Sequence, residues 1–305
     1  MESQLCAKII VNPAAGCGST GRKWTRIREY LTRSGLAFDF THTECRGHAM
    51  ELAREAALAG YKMVVASGGD GTLNEVVNGL MDSGNAGSTA LGVLNTGTGC
   101  DFARFLGVSR DYRQACLHLI NPRIIKSDVG VVEYKKNGET VRRFFISAAG
   151  FGMDGEVVET AVKGPRIIHG NIPYFLGILQ SLGTYKNKNI HLRLDDHEED
   201  VRICSVIIAN GGFYAGGAHI APEASVQDGA FEVMILGDVG KLELVQVFLA
   251  AYRGTHVTHP KVRIERASRV TLQSSERVLI QADGELVGEG PATFRVIPAA
   301  LNIAV

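Results

Sequence analysis

The stretch MVVASGGDGTLNEVVNGL, residues 63–80, decides the fold of this chain. It opens with an apolar run at 63–66 that contains two adjacent valines, which is typical of a strand covered on both faces. Beyond the glycine-rich turn, apolar residues recur at the spacing of one helix face: Leu73, Val76, Val77 and Leu80. Thr72 followed by Glu75 predicts a capping box that starts the helix. The stretch therefore predicts a strand, a tight loop and a helix in immediate succession.

The turn within this stretch, SGGDGT, is predicted to bind an anion. A glycine-rich loop that opens a helix points backbone N–H groups and the positive end of the helix dipole at one small volume, where phosphate is favoured. A hairpin turn is the alternative, because Asp-Gly is a strong hairpin signal, but the residues that follow have helical periodicity. Asp70 would repel a phosphate unless a metal ion or a transferable proton lay between them. Its alternative role is that of a helix-start acid that accepts hydrogen bonds from loop amides.

Length, charge and cysteine content restrict the classes of protein to consider. The chain has 305 residues, 45% of them hydrophobic, which is enough for two globular domains. Its formal net charge is zero, so no global field attracts nucleic acid. The six cysteines form no CxxC pair, the N-terminus has no signal-peptide pattern, and no apolar run has the length of a membrane span. These features predict a cytoplasmic protein.

Strand and helix patterns are distributed unevenly along the chain. They alternate in the first part, which favours a parallel sheet with helices on both faces and ligands at the carboxyl ends of the strands. After Pro122, short β-rich segments dominate, with two helices predicted near 172–185 and 242–254. We therefore predict an α/β domain over 1–125 and a mostly antiparallel β domain over 126–295.

The loop at residues 11–24, VNPAAGCGSTGRKW, resembles two nucleotide-binding motifs without meeting either. Its glycines match GxGxxG, but four residues separate the strand from the first glycine, whereas a dinucleotide fold turns at once. Arg22 and Lys23 stand where a P-loop has Lys and Ser or Thr. Two interpretations of this segment remain: a loop that binds polyphosphate, or a plain loop followed by a solvated basic helix face.

A third loop, LGVLNTGTGCDFARFLGV at residues 91–108, repeats the strand, turn and helix pattern. Asn95, Thr96 and Thr98 offer hydroxyl and amide partners for phosphate, ribose or base. Asp101 is equally suited to cap the helix or to bind a substrate. Three such loops at neighbouring strand ends could together enclose one nucleotide.

Five motifs together resemble the diacylglycerol kinase catalytic family, in its bacterial lipid kinase branch related to sphingosine kinases. They are the loops described above together with IAPEASVQDGAFEV and QADGE, and they occur in family order over residues 9–285. The resemblance implies an NAD kinase/phosphofructokinase-like parallel sheet that binds ATP and an antiparallel β-sandwich that binds the lipid. It also implies that a C-terminal strand, about 296–305, returns to the first domain.

The resemblance further implies transfer of the γ-phosphoryl of ATP to a lipid hydroxyl, with Mg²⁺, by a protein peripheral to the inner face of the membrane. The ATP-binding residues implied in this sequence are Asn12, Thr43, Gly68, Gly69, Asp70, Gly71, Thr72, Leu73, Asn74 and Thr98. A lipid substrate would be bound by Asp101 and by Asp154 in GFGMDGEV.

Two carboxylates are candidates for the general base. Glu285 of the DGE motif has this role in the bacterial branch, and Asp70 has it in sphingosine kinases, so the resemblance leaves both open. Taken without the resemblance, Glu285 is as well explained as a turn acid. Asp228 matches a magnesium-binding aspartate, aided by the carbonyls of Ser225 and Ala230, although Asp-Gly there also suits an ordinary hairpin turn.

Departures from the family pattern leave the substrate open. Asn95 replaces the usual Pro and Cys100 the usual Asn in the third loop, which puts nucleotide preference and acceptor identity in question. An NAD kinase-type enzyme with a soluble substrate and a non-catalytic lipid or nucleotide sensor are the alternatives. Diacylglycerol, a sphingoid base, phosphatidylglycerol and a polyprenol all fit as acceptors. Edge strands expected to be apolar in the second domain make a homodimer possible.

Overall fold

The computed structural model describes residues 6–163 and 183–305. The chain forms two compact units. The first unit contains the chain up to Ser127 together with Ala299–Val305, and the second unit is Asp128–Pro298. The C-terminal residues therefore belong to the unit formed by the N-terminal part of the chain.

The first unit is an α/β structure around a parallel sheet. Its elements are β1 (Cys6–Val11), α1 (Ala15–Arg33), β2 (Ala37–His42), α2 (His48–Leu58), β3 (Met63–Gly68), α3 (Asp70–Asp82), β4 (Ala90–Asn95), α4 (Asp101–Phe105) and α5 (Tyr112–Ile120). The strands run parallel in the order β2-β1-β3-β4. The last strand of the chain, β18 (Ala292–Ala304), begins in the second unit and pairs in parallel with β4 through Asn302 and Ile303.

Burial explains why these segments are strands and helices. Every residue of β3 and of β4 is buried, as expected for strands covered on both faces. Helix α1 buries Trp24, Ile27 and Leu31 at the spacing of one helix face. The alternation of strand and helix predicted from the sequence is confirmed, whereas α5, which the sequence analysis did not identify, is an additional helix.

The predicted capping box at the start of α3 is wrong. Helix α3 begins at Asp70 with Gly69 as its N-cap residue, and the Thr72 hydroxyl accepts a hydrogen bond from Asn12 Nδ2 (2.9 Å). The Glu75 carboxylate accepts hydrogen bonds from the backbone N–H groups of Gly47 (2.8 Å) and Ala49 (3.1 Å) at the start of α2. Glu75 therefore caps the neighbouring helix instead of its own.

The second unit is an antiparallel β-sandwich whose described part also contains two α-helices and a short 3₁₀ helix. Its elements are β5 (Ile124–Lys136), which begins in the first unit, β6 (Glu139–Phe145), β7 (Ala148–Gly152), α6 (Met153–Lys163), β8 (Lys188–Leu194), β9 (His197–Ile203), β10 (Ser205–Ala209), β11 (Phe213–Tyr214), β12 (Ala218–His219), β13 (Phe231–Leu236), α7 (Lys241–Ala251), a 3₁₀ helix (Thr255–Thr258), β14 (Val262–Ala267), β15 (Arg269–Gln273), β16 (Leu279–Ala282), β17 (Glu285–Glu289) and β18. One sheet has the order β14-β13-β10-β7-β16-β17. Strands β18, β15, β8 and β9 are neighbours in the other, and β5 pairs with β18 and β6.

Aromatic side chains from both sheets fill the core of the sandwich. Phe145 of β6 stacks on Phe231 of β13 with ring centroids 5.5 Å apart. Phe294 of β18 meets the Phe145 ring edge-on at 6.4 Å. All three rings are fully buried, which gives this unit a hydrophobic core of its own.

Three features of the second unit differ from the sequence prediction or lie outside it. Helix α6 occupies a segment for which the sequence predicted neither a strand nor a helix. The edge strands β9 and β14 carry exposed charged side chains, whereas apolar edges were expected, and charges protect an edge from pairing. The predicted helix near 172–185 lies for most of its length outside the described residues. Within 6–163 and 183–305, no helix is long and apolar enough to cross a bilayer.

Candidate active site

Three glycine-rich loops lie at the carboxyl ends of β1, β3 and β4. Loop 1 covers residues 12–19, loop 2 covers 68–71 and loop 3 covers 96–100. Because the three strands are parallel neighbours, their carboxyl ends lie at one edge of the sheet and bring the loops together. This edge is where an open α/β sheet binds ligands.

Loops 2 and 3 touch through their backbones. The N–H of Gly97 donates to the carbonyl of Gly68 (2.8 Å). A Cβ atom on Gly97 would lie 2.5 Å from the Cα of Gly69, which no side chain can tolerate. Glycine at position 97 is therefore required for the two loops to approach each other.

Asp70 joins the same two loops through its side chain. Its Oδ2 accepts a hydrogen bond from the Cys100 N–H (2.6 Å) and its Oδ1 one from the Asp101 N–H (2.8 Å). A Cβ atom on Gly99 would lie 2.7 Å from Asp70 Oδ2, so glycine makes room for the carboxylate. Of the two roles considered for Asp70, the structure shows the second, in which the carboxylate accepts hydrogen bonds from backbone N–H groups of the loop.

Loop 1 is attached to loop 3 by hydroxyl groups. Ser19 Oγ donates to the carbonyl of Thr96 (2.9 Å), and Thr20 Oγ1 donates to Thr96 Oγ1 (2.8 Å). The chain turns at Gly16, Cys17 and Gly18, which all have positive φ angles, before the regular part of α1 begins. These contacts connect all three loops into one assembly.

The residues predicted to bind ATP divide into two groups. Thr98 is exposed, Gly71 is exposed at the first turn of α3, and Thr43 is partly exposed beyond the end of β2. Leu73 and Asn74, in contrast, are buried, and Asn74 Oδ1 accepts a hydrogen bond from Asn78 Nδ2 (3.2 Å). The last two side chains therefore pack inside the unit.

Several features of this assembly fit the phosphates of a nucleotide. The N-cap residues of α1 and α3, Ala14 and Gly69, have no side chain that accepts a hydrogen bond from the first-turn N–H groups. Uncapped helix starts of this kind favour anions. Ser67 Oγ and Asn95 Oδ1, at the ends of β3 and β4, are buried and have no hydrogen-bond partner among the described residues. The exposed helix starts therefore offer N–H groups to a phosphate, whereas the Ser67 and Asn95 side chains lie buried beneath them.

Cys100 occupies an unusual backbone position in loop 3. Its φ of 59° and ψ of 57° lie in the left-handed region, which Asn and Gly adopt more readily than other residues. Burial, with a further contribution from the Asp70 charge, raises the pKa of the Cys100 thiol to about 12. The thiol is therefore protonated at neutral pH and is not a nucleophile.

In the second unit, Glu285 follows a tightly held turn. Asp283 (φ 48°) and Gly284 (φ 80°) both have positive φ angles, as in a two-residue hairpin turn. The Asp283 carboxylate accepts hydrogen bonds from three consecutive backbone N–H groups, those of Ile146 (2.8 Å), Ser147 (2.9 Å) and Ala148 (3.1 Å). This role of Asp283 could not be predicted from the sequence, because the three N–H groups are distant in the chain.

Asp154 lies in the first turn of α6, beside the buried Gln281. A Cβ atom on Gly150 would lie 2.3 Å from Asp154 Oδ2 and 2.8 Å from Gln281 Nε2, so both polar atoms surround this glycine. Neither atom has a hydrogen-bond partner among the described residues. Gln281 Oε1 accepts from the Gly284 N–H (2.9 Å). Burial raises the pKa of Asp154 to about 7.

Both oxygens of the Asp228 carboxylate, predicted to bind magnesium, are bound to other protein groups in this structure. One carboxylate oxygen pairs with the Arg266 guanidinium, and the other accepts a hydrogen bond from the Ala230 N–H (3.2 Å). Ser225 Oγ accepts from the Gln227 N–H (3.3 Å). Among residues 6–163 and 183–305, no group of three or more His, Cys, Asp or Glu side chains is arranged to hold a metal. A magnesium ion at Asp228 would therefore have to displace the Arg266 guanidinium from the carboxylate.

Comparisons with known proteins agree with this geometry. Residues 6–132 match the diacylglycerol kinase catalytic domain, and residues 147–305 match the YegS C-terminal NAD kinase beta sandwich-like domain. The chain is 32% identical to a diacylglycerol kinase of Bacillus subtilis (strain 168) over 94% of this chain and 92% of the relative. It is 30% identical to a diacylglycerol kinase of Staphylococcus haemolyticus (strain JCSC1435) over 95% of this chain and 84% of the relative.

A solved structure shows the same fold. The crystal structure of a diacylglycerol kinase from Bacillus anthracis str. Sterne aligns with a TM-score of 0.74 at 18% identity, covering 100% of this chain and 97% of that chain. The similarity extends over both units, and the two curated relatives are 32% and 30% identical to this chain. From these matches, and from the loop assembly that carries its motifs, the chain belongs to the diacylglycerol kinase catalytic family and is a lipid kinase.

Proposed function

We propose that this kinase transfers the γ-phosphoryl group of ATP, with Mg²⁺, to the hydroxyl of diacylglycerol. The observation that carries the proposal is the assembly of three loops around the Gly68–Gly97 contact, because it presents helix starts and backbone N–H groups to a polyphosphate. The names of the two curated relatives support diacylglycerol as the acceptor.

ATP would be bound by the exposed parts of the assembly. Backbone N–H groups of Gly69 and Gly71 and the hydroxyl of Thr98 suit the phosphates, and Thr43 suits the nucleoside. Asn12 contributes indirectly, since its amide holds the Thr72 hydroxyl and so connects loop 1 to α3. Charge on the transferred phosphoryl group is neutralised by donors of this kind together with Mg²⁺.

Glu285 is the better candidate for the general base. Both carboxylate oxygens of Asp70 accept backbone hydrogen bonds, one from Cys100 in loop 3 and one from Asp101 at the start of α4, so this side chain already has a structural role. Glu285 directly follows a turn that the Asp283 side chain holds in place, which would keep a base in a defined position. We therefore propose that Glu285 removes the proton of the lipid hydroxyl and that Asp70 holds the loops together.

The polar end of the lipid would be bound by Asp154 and Gln281. Asp154 Oδ2 and Gln281 Nε2 together offer an acceptor and a donor to a hydroxyl group. A pKa near 7 allows Asp154 to exchange a proton at neutral pH. Asp101, in the first turn of α4, is a second proposed contact for the acceptor in this scheme.

A separate magnesium ion at Asp228, with the carbonyls of Ser225 and Ala230, remains part of the proposal on condition that Arg266 moves away from the carboxylate. No catalytic step is assigned to that ion.

We also propose that the protein works at the inner face of a membrane, since its acceptor is a lipid. A homodimer is an additional proposal, which size-exclusion chromatography with light scattering tests directly.

The experiment that tests the proposed function is transfer of label from γ-labelled ATP, with magnesium, into a panel of acceptors. Diacylglycerol, a sphingoid base, phosphatidylglycerol and a polyprenol would be offered in mixed micelles, with NAD as a soluble control. We expect label in diacylglycerol. Label in another lipid alone would overturn the choice of acceptor, and label in NAD alone would overturn the lipid-directed reaction.

A further inference from the structure

Helix α7 of the second unit is apolar on two opposite faces. One face packs into the core through Val247 and Ala251, which are 4% and 3% exposed. The other face exposes Leu242 (83%), Val245 (39%) and Leu249 (61%). These three residues, spaced i, i+3 and i+7, lie on one side of the helix and are called the α7 stripe.

Such exposure is unusual for a globular protein. A helix that is hydrophobic on all sides is normally buried, and contiguous exposed apolar side chains mark an interaction site. Tyr252 (44% exposed) and Val257 (40% exposed) extend the apolar surface beyond the end of α7. The α7 stripe therefore indicates a surface that binds an apolar partner.

Charges around the stripe indicate which partner fits. Residues 241–261 contain three basic side chains, Lys241, Arg253 and Lys261, and one acidic side chain, so that their formal charge is 3 − 1 = +2. The acid, Glu243, is already paired with Lys261 Nζ (2.7 Å) and accepts from the Gly240 N–H (2.7 Å). Arg253 lies at a surface groove of 510 Å³ that also includes Leu249 and Tyr252. The surface is thus apolar in its centre and cationic at its ends.

We propose that α7 is an interfacial helix whose stripe inserts into a bilayer that contains anionic phospholipid, with Arg253 facing lipid phosphates and Lys241, whose Nζ donates to the Gly183 carbonyl (3.0 Å), adding positive charge at the other end. Apolar side chains between basic residues are the pattern of helices that lie in the membrane–water interface. The inference rests on the proposed function, since an acceptor lipid in a bilayer requires the protein to reach that surface.

A bilayer fits this surface better than a second copy of the chain does. A stable dimer buries roughly 800 Å² on each partner, which is well beyond three partly exposed side chains. A symmetric pairing through α7 would also bring two segments of the same positive charge together. An anionic membrane satisfies both the apolar stripe and the basic residues.

The test is co-sedimentation of the protein with vesicles of phosphatidylcholine, with and without phosphatidylglycerol. The double variant Leu242→Gln, Leu249→Gln is expected to lower the partition coefficient by roughly tenfold or more, because two apolar side chains lose their burial. The matched control is Leu58→Gln, Leu117→Gln, which changes two leucines of the first unit that are also more than half exposed and should bind as the wild type does. Arg253→Glu should weaken binding to the anionic vesicles only.

Activity assays separate this inference from the proposed function. With a short-chain diacylglycerol dispersed in water, the stripe variant should turn over as the wild type does, whereas with vesicle-embedded diacylglycerol its rate should fall in parallel with binding. A wild type that binds vesicles through the stripe but phosphorylates no lipid would overturn the function alone. Unchanged vesicle binding by the stripe variant would overturn the inference. A stripe variant that binds vesicles as the wild type does but no longer forms a dimer would show that the stripe contacts a second copy of the chain, and would overturn it too.

Discussion

Two aspartates, Asp70 and Asp283, hold backbone segments beside the residues that are proposed to do chemistry. Asp70 accepts hydrogen bonds from the backbone N–H groups of Cys100 and Asp101. Asp283 accepts hydrogen bonds from the three consecutive N–H groups of residues 146–148. Charge-assisted hydrogen bonds of this kind are stronger than neutral ones. Each carboxylate thus fixes the local backbone on which a loop or a base depends.

Cys100 is predicted to be replaceable by the residue that its backbone prefers. Cys100→Asn should leave the free energy of unfolding unchanged or raise it by up to about 1 kcal/mol, because Asn tolerates the left-handed region. Cys100→Val should lower it by roughly 1–3 kcal/mol, since a β-branched residue is strained there. Urea unfolding measures both, and equal stability of the two variants would contradict the strain argument.

Asp154 is predicted to make stability depend on pH. Its pKa is raised from 3.8 to about 7, so between these values the folded state keeps a proton that the unfolded chain has lost. The contribution of Asp154 to the free energy of unfolding is therefore greatest below about pH 4 and falls as pH rises towards 7, by up to about 1.4 kcal/mol per pH unit. Comparing urea unfolding of the wild type and Asp154→Asn from about pH 5 to about pH 7 tests this sign. A constant difference between the two proteins would contradict it.

At the scale of elements, α2 and α3 are connected through a single carboxylate. Because Glu75 caps α2, Glu75→Ala should lower the free energy of unfolding by about 1–2 kcal/mol. Hydrogen exchange should then speed up at the N–H groups of Gly47 and Ala49. Glu51→Ala, an exposed acid in the first turn of α2, is the matched control and should change stability by less than about 0.5 kcal/mol. Equal effects of both changes would indicate a general charge effect.

The elements that could be predicted from the sequence are those with strong local patterns. The buried runs of β3 and β4 and the helical periodicity after loop 2 need no partner to be recognised. The capping of α3 was assigned wrongly because the true partners are distant in the chain: Asn12 is 60 residues from Thr72, and Gly47 is 28 residues from Glu75. Helices α5 and α6, of 9 and 11 residues, are short and were missed.

For the whole molecule, the order of motifs along the chain identified the family, because each motif belongs to a loop or turn with its own required geometry. Pairings across the sheets could not be predicted in the same way. Gln281 beside Asp154 and Arg266 against Asp228 depend on which strands and helices become neighbours. The roles of individual carboxylates therefore required the structure.

The measurement that tests the central claim most directly is label transfer from γ-labelled ATP to diacylglycerol by Glu285→Gln and Asp70→Asn. We predict that Glu285→Gln lowers kcat by roughly 100-fold or more, with ATP affinity and unfolding midpoint unchanged, as expected for a lost base. Asp70→Asn should instead weaken ATP binding and stability together, because the loops separate. Glu289→Gln, on the same strand, is the control and should behave as the wild type does. Full activity of Glu285→Gln would contradict the account.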